Sequence, residues 1–320
     1  VKRIAVMTSG GDCPGMNAAI RSIVRTGIAE GLEVFGVEQG YKGLIEGRME
    51  RLESRDVSNM IQRGGTFLKS ARSMEFKTEE GQKKAVAQLK KKGIEGLIVI
   101  GGDGSLTGAK ILSEKYGVKV IGLPGSIDND IYGTNISIGV DTALNTISNA
   151  IDMINETASS HDRTFLIEVM GRNCGYLALM SAIATGAEAV IIPEVDYHIE
   201  NIINKIKERY EEGKSRSIIV VAEGAGNAYD FGKAFQLIGG FDTRITVLGH
   251  LQRGGSPTVF DRILATRMGA AAVEGIMNGK TGVMTALERS QITFIELDKV
   301  LGNKKKLDKK LLKIAEDLSL

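Results

Sequence analysis

The 320-residue sequence has no apolar run approaching the roughly 20 consecutive residues that a membrane-spanning helix needs. It has little net charge. Forty-one Lys and Arg stand against 39 Asp and Glu, giving +2, so the electrostatic footprint of a nucleic-acid binder is missing. It has two cysteines, Cys13 and Cys174, too few for a disulfide framework, and neither has a CxxC or His neighbour at metal-ligand spacing. No signal peptide is read at the start, where "VKRIAVMTSGGD" runs straight into a strand-like segment. These absences predict a soluble protein of a reducing cytoplasm, with neither nucleic acid nor membrane as partner. What is there is an ordinary globular composition, 42% hydrophobic and 25% charged. The length exceeds one typical core and predicts two domains.

Glycine is abundant, at 40 residues, and it clusters after apolar runs: "TSGG", "VIGGDG", "GLPGS", "EVMGR", "VAEGAG", "VLGH". A strand that ends in Gly and then opens a helix is the unit of a doubly wound α/β fold. The apolar runs predict strands at 3–8, 33–37, 96–101, 118–123, 164–169, 189–194, 217–223 and 244–249. Helical patterns fill 16–30, 78–92, 106–115, 141–157, 175–185, 199–212 and 258–277, and a Lys-rich surface helix is expected in 303–320. "VMTSGGDCPGMNAAIRSIV" matches "EVMGRNCGYLALMSAIA" in its order of apolar, Gly and Cys positions, and "LIVIGGDGSLTGAKIL" matches "IIVVAEGAGNAYDFGKAF". The expectation is an α/β protein of two similar doubly wound (Rossmann-like) domains, with an active-site cleft between them at the carboxyl ends of the strands.

Two stretches bear chemistry. In "GSIDND" (125–130), Asp128 and Asp130 follow a buried strand, with no basic residue inside the stretch. By itself this reads first as a polar turn. "IGGDGS" (100–105) follows a strand and opens a helix, where backbone amides approach phosphate closely. Asp103 would repel phosphate unless a cation intervened, and Mg2+ fits because it takes one or two carboxylates plus phosphate oxygens. The motif lacks the Gly-Lys-Ser/Thr of a Walker A loop, and Thr107 stands where GxGxxG needs its third Gly. "TSGGDCPG" (8–15) is a second such turn. Arg72, Arg172, Arg163, Glu223, Arg244, His250 and Arg253 lie in loops or at strand ends, several of them expected on one side of two sheets.

"TSGGDCPGMNAAIR", "GGDGS", "PGSIDND", "MGRNCG", "AEG" and "LGHLQRGGSP" together resemble, in order and spacing over the whole chain, the bacterial-type ATP-dependent 6-phosphofructokinases. The resemblance implies transfer of the γ-phosphoryl of ATP to the 1-hydroxyl of fructose 6-phosphate, with Asp128 as base and Ser126, Arg72 and Arg172 assisting. It implies ATP contacts at Gly11, Arg72, Ser73, Gly102, Asp103, Gly104 and Ser105, and Mg2+ at Asp103 and Asp130. Around the sugar it implies Ser126, Ile127, Asp128, Met170, Gly171, Arg172, Glu223, His250, Leu251 and Gln252, with Arg163, Arg244 and Arg253 on the 6-phosphate. Arg163 and Arg244 would come from a neighbouring subunit of a homotetramer. The implied domains are 1–139 plus 252–303, larger and ATP-binding, and 140–251 plus 304–320, smaller and sugar-phosphate-binding. An effector site for ADP or phosphoenolpyruvate would use Arg21, Arg25, Gly186, Ala187, Glu188, Lys214 and Arg216. Asn155 and Glu212 stand where regulated relatives carry basic residues, which implies a weak response. Ser126 and Ser73 replace Thr and Cys, common in the family. Other kinases with "GGDG", or a sensor without catalysis, fit less well, because all six motifs and the charged residues Asp103, Asp128, Arg72 and Arg172 are present together.

Overall fold

The computed structural model describes residues 1–158, 163–213 and 216–318, and it divides into two compact units. The first comprises Val1–Ile127, Ile131–Thr142 and Arg253–Lys305; the second comprises Asp128–Asp130, Ala143–Gln252 and Lys306–Leu320. In chain order the elements are β1 (Arg3–Ser9), α1 (Met16–Ala29), β2 (Glu33–Val37), α2 (Gly40–Glu46), β3 (Met49–Leu52), α3 (Glu79–Lys92), β4 (Gly96–Gly101), α4 (Asp103–Tyr116), β5 (Lys119–Pro124) and α5 (Val140–Ala158). There follow β6 (Thr164–Val169), α6 (Tyr176–Thr185), β7 (Ala189–Ile191), α7 (Ile199–Glu211), β8 (Ser217–Ala222), α8 (Ala228–Ala234) and β9 (Thr243–Val247). The chain closes with α9 (Val259–Met277), β10 (Val283–Glu288), β11 (Gln291–Glu296), α10 (Leu297–Leu301) and α11 (Lys309–Leu318). No helix among the described residues is long and apolar enough to cross a membrane.

Among the described residues the first unit holds a seven-stranded sheet in the order β11-β10-β5-β4-β1-β2-β3, parallel from β10 to β2 with antiparallel edges. Its central strands are apolar on both faces because helices cover both. Ala5, Met7, Leu97 and Val99 join Leu44, Leu89, Leu106 and Leu112 in one core cluster. On the other side α1 and α9 pack together, and Ile20, Ile23, Leu264 and Met268 are fully or almost fully buried. Each such side chain contributes about 1.5–3 kcal/mol by leaving water. The strand order reverses between β1 and β4, and Ser9 pairs with Gly101 at their carboxyl ends. That is where doubly wound sheets bind ligands. The second unit holds a fully parallel sheet, β7-β8-β6-β9, around Leu166, Ile203, Ile219, Val221, Phe231 and Phe235.

Some elements differ from the sequence expectation. The β10–β11 hairpin lies outside the expected strands, since its two turn residues, Arg289 and Ser290, both take positive φ (46° and 67°) without the Asn-Gly pair that usually marks such a turn. The strand expected at 189–194 ends at Ile191, just before Pro193, which has no N–H to give a ladder. α4 starts at Asp103 rather than 106, so "DGS" forms the first helical turn. The expected C-terminal helix narrows to Lys309–Leu318.

A buried carboxylate ties two helix starts together. Asp261, with no exposed surface, accepts hydrogen bonds from the backbone N–H of Gly139 (2.9 Å) and Thr142 (2.8 Å) and from the Thr142 hydroxyl (2.6 Å). Thr258 caps α9 by accepting from Asp261 N (3.2 Å), and its hydroxyl donates to Asp141 (2.6 Å). Burial pushes Asp261 up to about 6, against the lowering effect of the bonds from Thr142 and Gly139. A carboxyl whose folded pKa is raised favours folding below its unfolded value near 3.9, and that contribution is lost as pH rises through the folded value. The melting temperature of the natural protein should therefore fall relative to that of Asp261→Asn between pH 4 and 7, and the two calorimetric curves should run parallel above it. A difference that stays constant across that window would contradict the assignment.

Candidate active site

In the first unit, the carboxyl ends of β1 and β4 bring two glycine turns together. After β1, Ser70 Oγ donates to Gly10 O at 2.6 Å, drawing the 70–77 segment onto the turn. A Cβ on Gly11 would lie 2.0 Å from Arg253 Nη1, so the glycine makes room for that guanidinium, which also donates to Asp12 O (3.2 Å). After β4, Gly102 precedes α4 and Asp103 is its first residue. The helix start favours an anion through its exposed amides and dipole. A Cβ on Gly102 or Gly104 would meet nothing within 4 Å, so open space lies on either side of Asp103. Ser73 Oγ accepts from Phe76 N (3.2 Å), and Arg72 is exposed on the same segment.

One residue here escaped the sequence reading. Tyr41 is buried, stacks on Phe76 with ring centroids 4.0 Å apart, and donates to Ser105 O at 2.6 Å, fixing the first turn of α4. Burial pushes its phenol well up. The available signal was its place in "EQGYKG", just beyond β2, the parallel neighbour of β1.

In the second unit, β6, β8 and β9 end side by side, with Val169 opposite Ala222 and Glu168 opposite Val247. Their loops carry Met170–Arg172, Glu223 and His250. Arg172 occupies a left-handed conformation, φ 52°, after Gly171 at φ 139°. Holding a side-chain-bearing residue there costs on the order of 1–2 kcal/mol, so its surroundings must over-determine it. Glu223 Oε1 does so by accepting from both Gly171 N (3.2 Å) and Arg172 N (2.7 Å). A Cβ on Gly224 would come within 1.9 Å of Arg172 O, so only glycine lets the turn lie this close to β8. The result answers the puzzle of "GSIDND". Asp128, 3% exposed, has its Oδ2 3.5 Å from Arg172 Nε, so the missing cation arrives from 44 positions along the chain (172 minus 128).

The other predicted residues fall differently. Ser126 and Asp130 are half-buried and His250 is exposed, whereas Ile127 is 1% exposed. Gln252 is fully buried and its amide serves backbone: Oε1 accepts from Met170 N (3.1 Å) and Nε2 donates to Gly249 O (3.0 Å). Leu251 is exposed. The expectation that the strand-end arginines share one side of the sheets is corrected. Arg163 precedes β6 and Arg244 is the second residue of β9, so both sit at the amino edge of their sheet. At about 3.3 Å per residue along β6, that edge is about 20 Å from the turn of Arg172. There both bind Asp242, Arg163 Nε at 2.9 Å and Arg244 Nη1 at 2.6 Å. Arg253 joins neither group and lies on the Gly11 turn.

Of the effector candidates, Arg21 and Arg25 stand one turn apart on α1; burial and then the charge of Arg25 lower the Arg21 pKa. Glu188 Oε2 accepts from Ile218 N (2.6 Å), with Arg209, absent from the sequence expectation, 3.9 Å from its other oxygen. Arg216 donates to Asn155 O (3.3 Å). Gly186 ends α6 at φ 66°, followed by buried Ala187, and Lys214 lies outside the described residues.

Comparisons with known proteins agree with one another. A family model described as phosphofructokinase matches residues 3–276. The chain is 54% identical to the ATP-dependent 6-phosphofructokinase of Halalkalibacterium halodurans and 53% identical to that of Thermotoga neapolitana, covering 100% of each and of itself. Among solved structures it is similar to phosphofructokinase from Saccharomyces cerevisiae, at a TM-score of 0.89 and 37% identity, over 100% of this chain and 48% of the yeast chain.

Proposed function

The chain belongs to the phosphofructokinase family, and from that premise we propose that Asp128 is the general base in the reaction that it catalyses. The enzyme transfers the γ-phosphoryl of ATP to the 1-hydroxyl of fructose 6-phosphate, giving fructose 1,6-bisphosphate and ADP. The observation that carries the role of Asp128 is its burial against Arg172. A carboxylate suffices as base because phosphoryl transfer depends on positioning and charge stabilisation more than on basicity. The Asp128 carboxylate would accept the hydroxyl proton, while Arg172, always charged and planar, would neutralise the phosphoryl in transit, with Arg72 from the nucleotide side. Ser126 would orient the reacting end of the sugar, and Met170, Gly171, Glu223 and His250 would surround its ring. Gly11, Ser73 and residues 102–105 would receive ATP.

Mg2+ fits the donor set. It takes few protein ligands, all oxygen, and keeps waters and phosphate oxygens for the rest. Asp103, with open space beside it, and Asp130 supply carboxylates of that kind. When bound, the ion would neutralise charge on the phosphate oxygens.

Asp128→Asn should lower kcat by roughly 10²–10⁴-fold with little change in sugar affinity, because a base acts in the transition state. Steady-state kinetics check it, and a variant that keeps more than about a tenth of kcat would refute the assignment.

Arg163 and Arg244 would complete the sugar-phosphate site of a neighbouring subunit in a homotetramer. Support comes from their place at the far edge of the sheet, joined through Asp242 as one unit. Hybrid oligomers test this. Asp128→Asn and Arg163→Ser chains, each nearly inactive alone, should regain activity when dissociated and reassembled together, because some sites then draw Asp128 from one chain and Arg163 from the other. Absence of recovery in verified hybrids would show that each chain uses its own Arg163.

Regulation would run through Arg21, Arg25, Gly186–Glu188, Lys214 and Arg216. Asn155 and Glu212 remove positive charge from a site for a multiply charged anion, and each lost charge-assisted contact costs about 1.5–3 kcal/mol, less when exposed. Phosphoenolpyruvate should therefore inhibit, and ADP activate, only at millimolar concentration. Sugar saturation curves with each effector measure this, and a large shift at micromolar effector would contradict it.

A further inference from the structure

The turn that carries Arg172 is held almost entirely by side chains from other segments. Gln252 takes the N–H of Met170, and Glu223 takes those of Gly171 and Arg172. Cys174 N closes the turn on Gly171 O at 2.9 Å. The downstream end has one more brace. Glu194, three residues beyond β7, receives the N–H of Gly175 on both carboxylate oxygens, at 2.8 and 3.0 Å.

Gly175 is the residue that precedes α6, and it has no side chain to cap the helix. A Cβ built there would lie 2.5 Å from Ile192 Cβ and 2.6 Å from Glu194 Oε2. The space that a side chain at 175 would use is thus filled from the loop after β7, and Glu194 satisfies the N–H of Gly175 itself, one of the amides left open at the helix start. A carboxylate at a helix start is favoured by the exposed amides and by the dipole. The same contact limits how far the strained turn can relax. Glu223 holds the first half of the strained turn and Glu194 the residue at its downstream end, so carboxylates fix it on both sides of Arg172.

We propose that Glu194 is a positioning residue for phosphoryl transfer: it fixes the Gly175 end of the turn and so keeps the Arg172 guanidinium on Asp128. The inference rests on the role given to Arg172 above. Misplacing a transition-state group by about 1 Å can cost up to about 10²-fold in rate. ATP binding, assigned to loops of the other unit, has no reason to change.

The test is a double-mutant cycle on Glu194 and Arg172, with kcat and both KM values measured and melting temperatures recorded alongside. Glu194→Ala should lower kcat by between about 10- and 100-fold with the KM for ATP unchanged. Glu194→Gln, which keeps a carbonyl acceptor for Gly175 N, should restore most of that loss. In an Arg172→Ala background, Glu194→Ala should lower kcat little further. Amide exchange at 171–175 should quicken in Glu194→Ala and return toward the natural rate in Glu194→Gln. Equal losses from Glu194→Ala in both backgrounds would overturn the proposal, because a residue serving only stability multiplies independently. An unchanged kcat in Glu194→Ala would overturn it as well. If Arg172→Ala alone left kcat intact, the fault would lie in the role given to Arg172, and the inference would fall with it.

Discussion

The arrangement around Asp128 depends on a single backbone constraint, the left-handed conformation of Arg172. A side chain at a strand end points where its φ and ψ send it. At φ 52° the guanidinium reaches a carboxylate that is otherwise almost sealed from water. An ionised carboxylate in such a place is costly without a counter-charge. The cost of the strained turn and the benefit of the ion pair are therefore linked, and Gly224, Glu223, Glu194 and Gln252 all serve to hold that turn.

The two sheets divide the charged residues by strand polarity. Carboxyl ends gather Gly10–Gly11, Gly102–Asp103, Met170–Arg172 and Glu223, as parallel sheets with strand-to-helix turns require. Amino ends hold Arg163 and Arg244, paired through Asp242. A rigid strand of six residues keeps these sets apart, so the chain cannot bring its own Arg163 to its own Arg172 by side-chain motion alone. If both sets serve one sugar-phosphate site, as proposed above, a second copy of the chain would have to supply one of them.

Asp261 works on the same principle as Asp128 with neutral partners. Three hydrogen-bond donors converge on it in place of a cation, and burial still leaves it the group whose ionisation the fold resists. The first residues of α5 and α9 are thereby fixed to each other, and the segment that begins with "GSIDND" is anchored where it ends, at Gly139.

The sequence by itself determined the repeated strand-Gly-helix units, the parallel sheets and the six motifs, because these are local: continuous apolar strands, glycine at turns, acidic residues at helix starts. The places of Asp103 and Asp128 in the fold were legible for the same reason, each sitting just past a readable strand. The hairpin at Arg289–Ser290 was not, since its turn takes a conformation that its residues do not advertise. Nor were Tyr41, Glu194 or the bracing use of Gln252, whose partners lie 64, 19 and 82 positions away in sequence. Only the tertiary structure decided that Arg172 neutralises Asp128 while Arg163 and Arg244 cannot. A sequence records which residues end a strand but not which strand ends meet, and strand order and direction settle that.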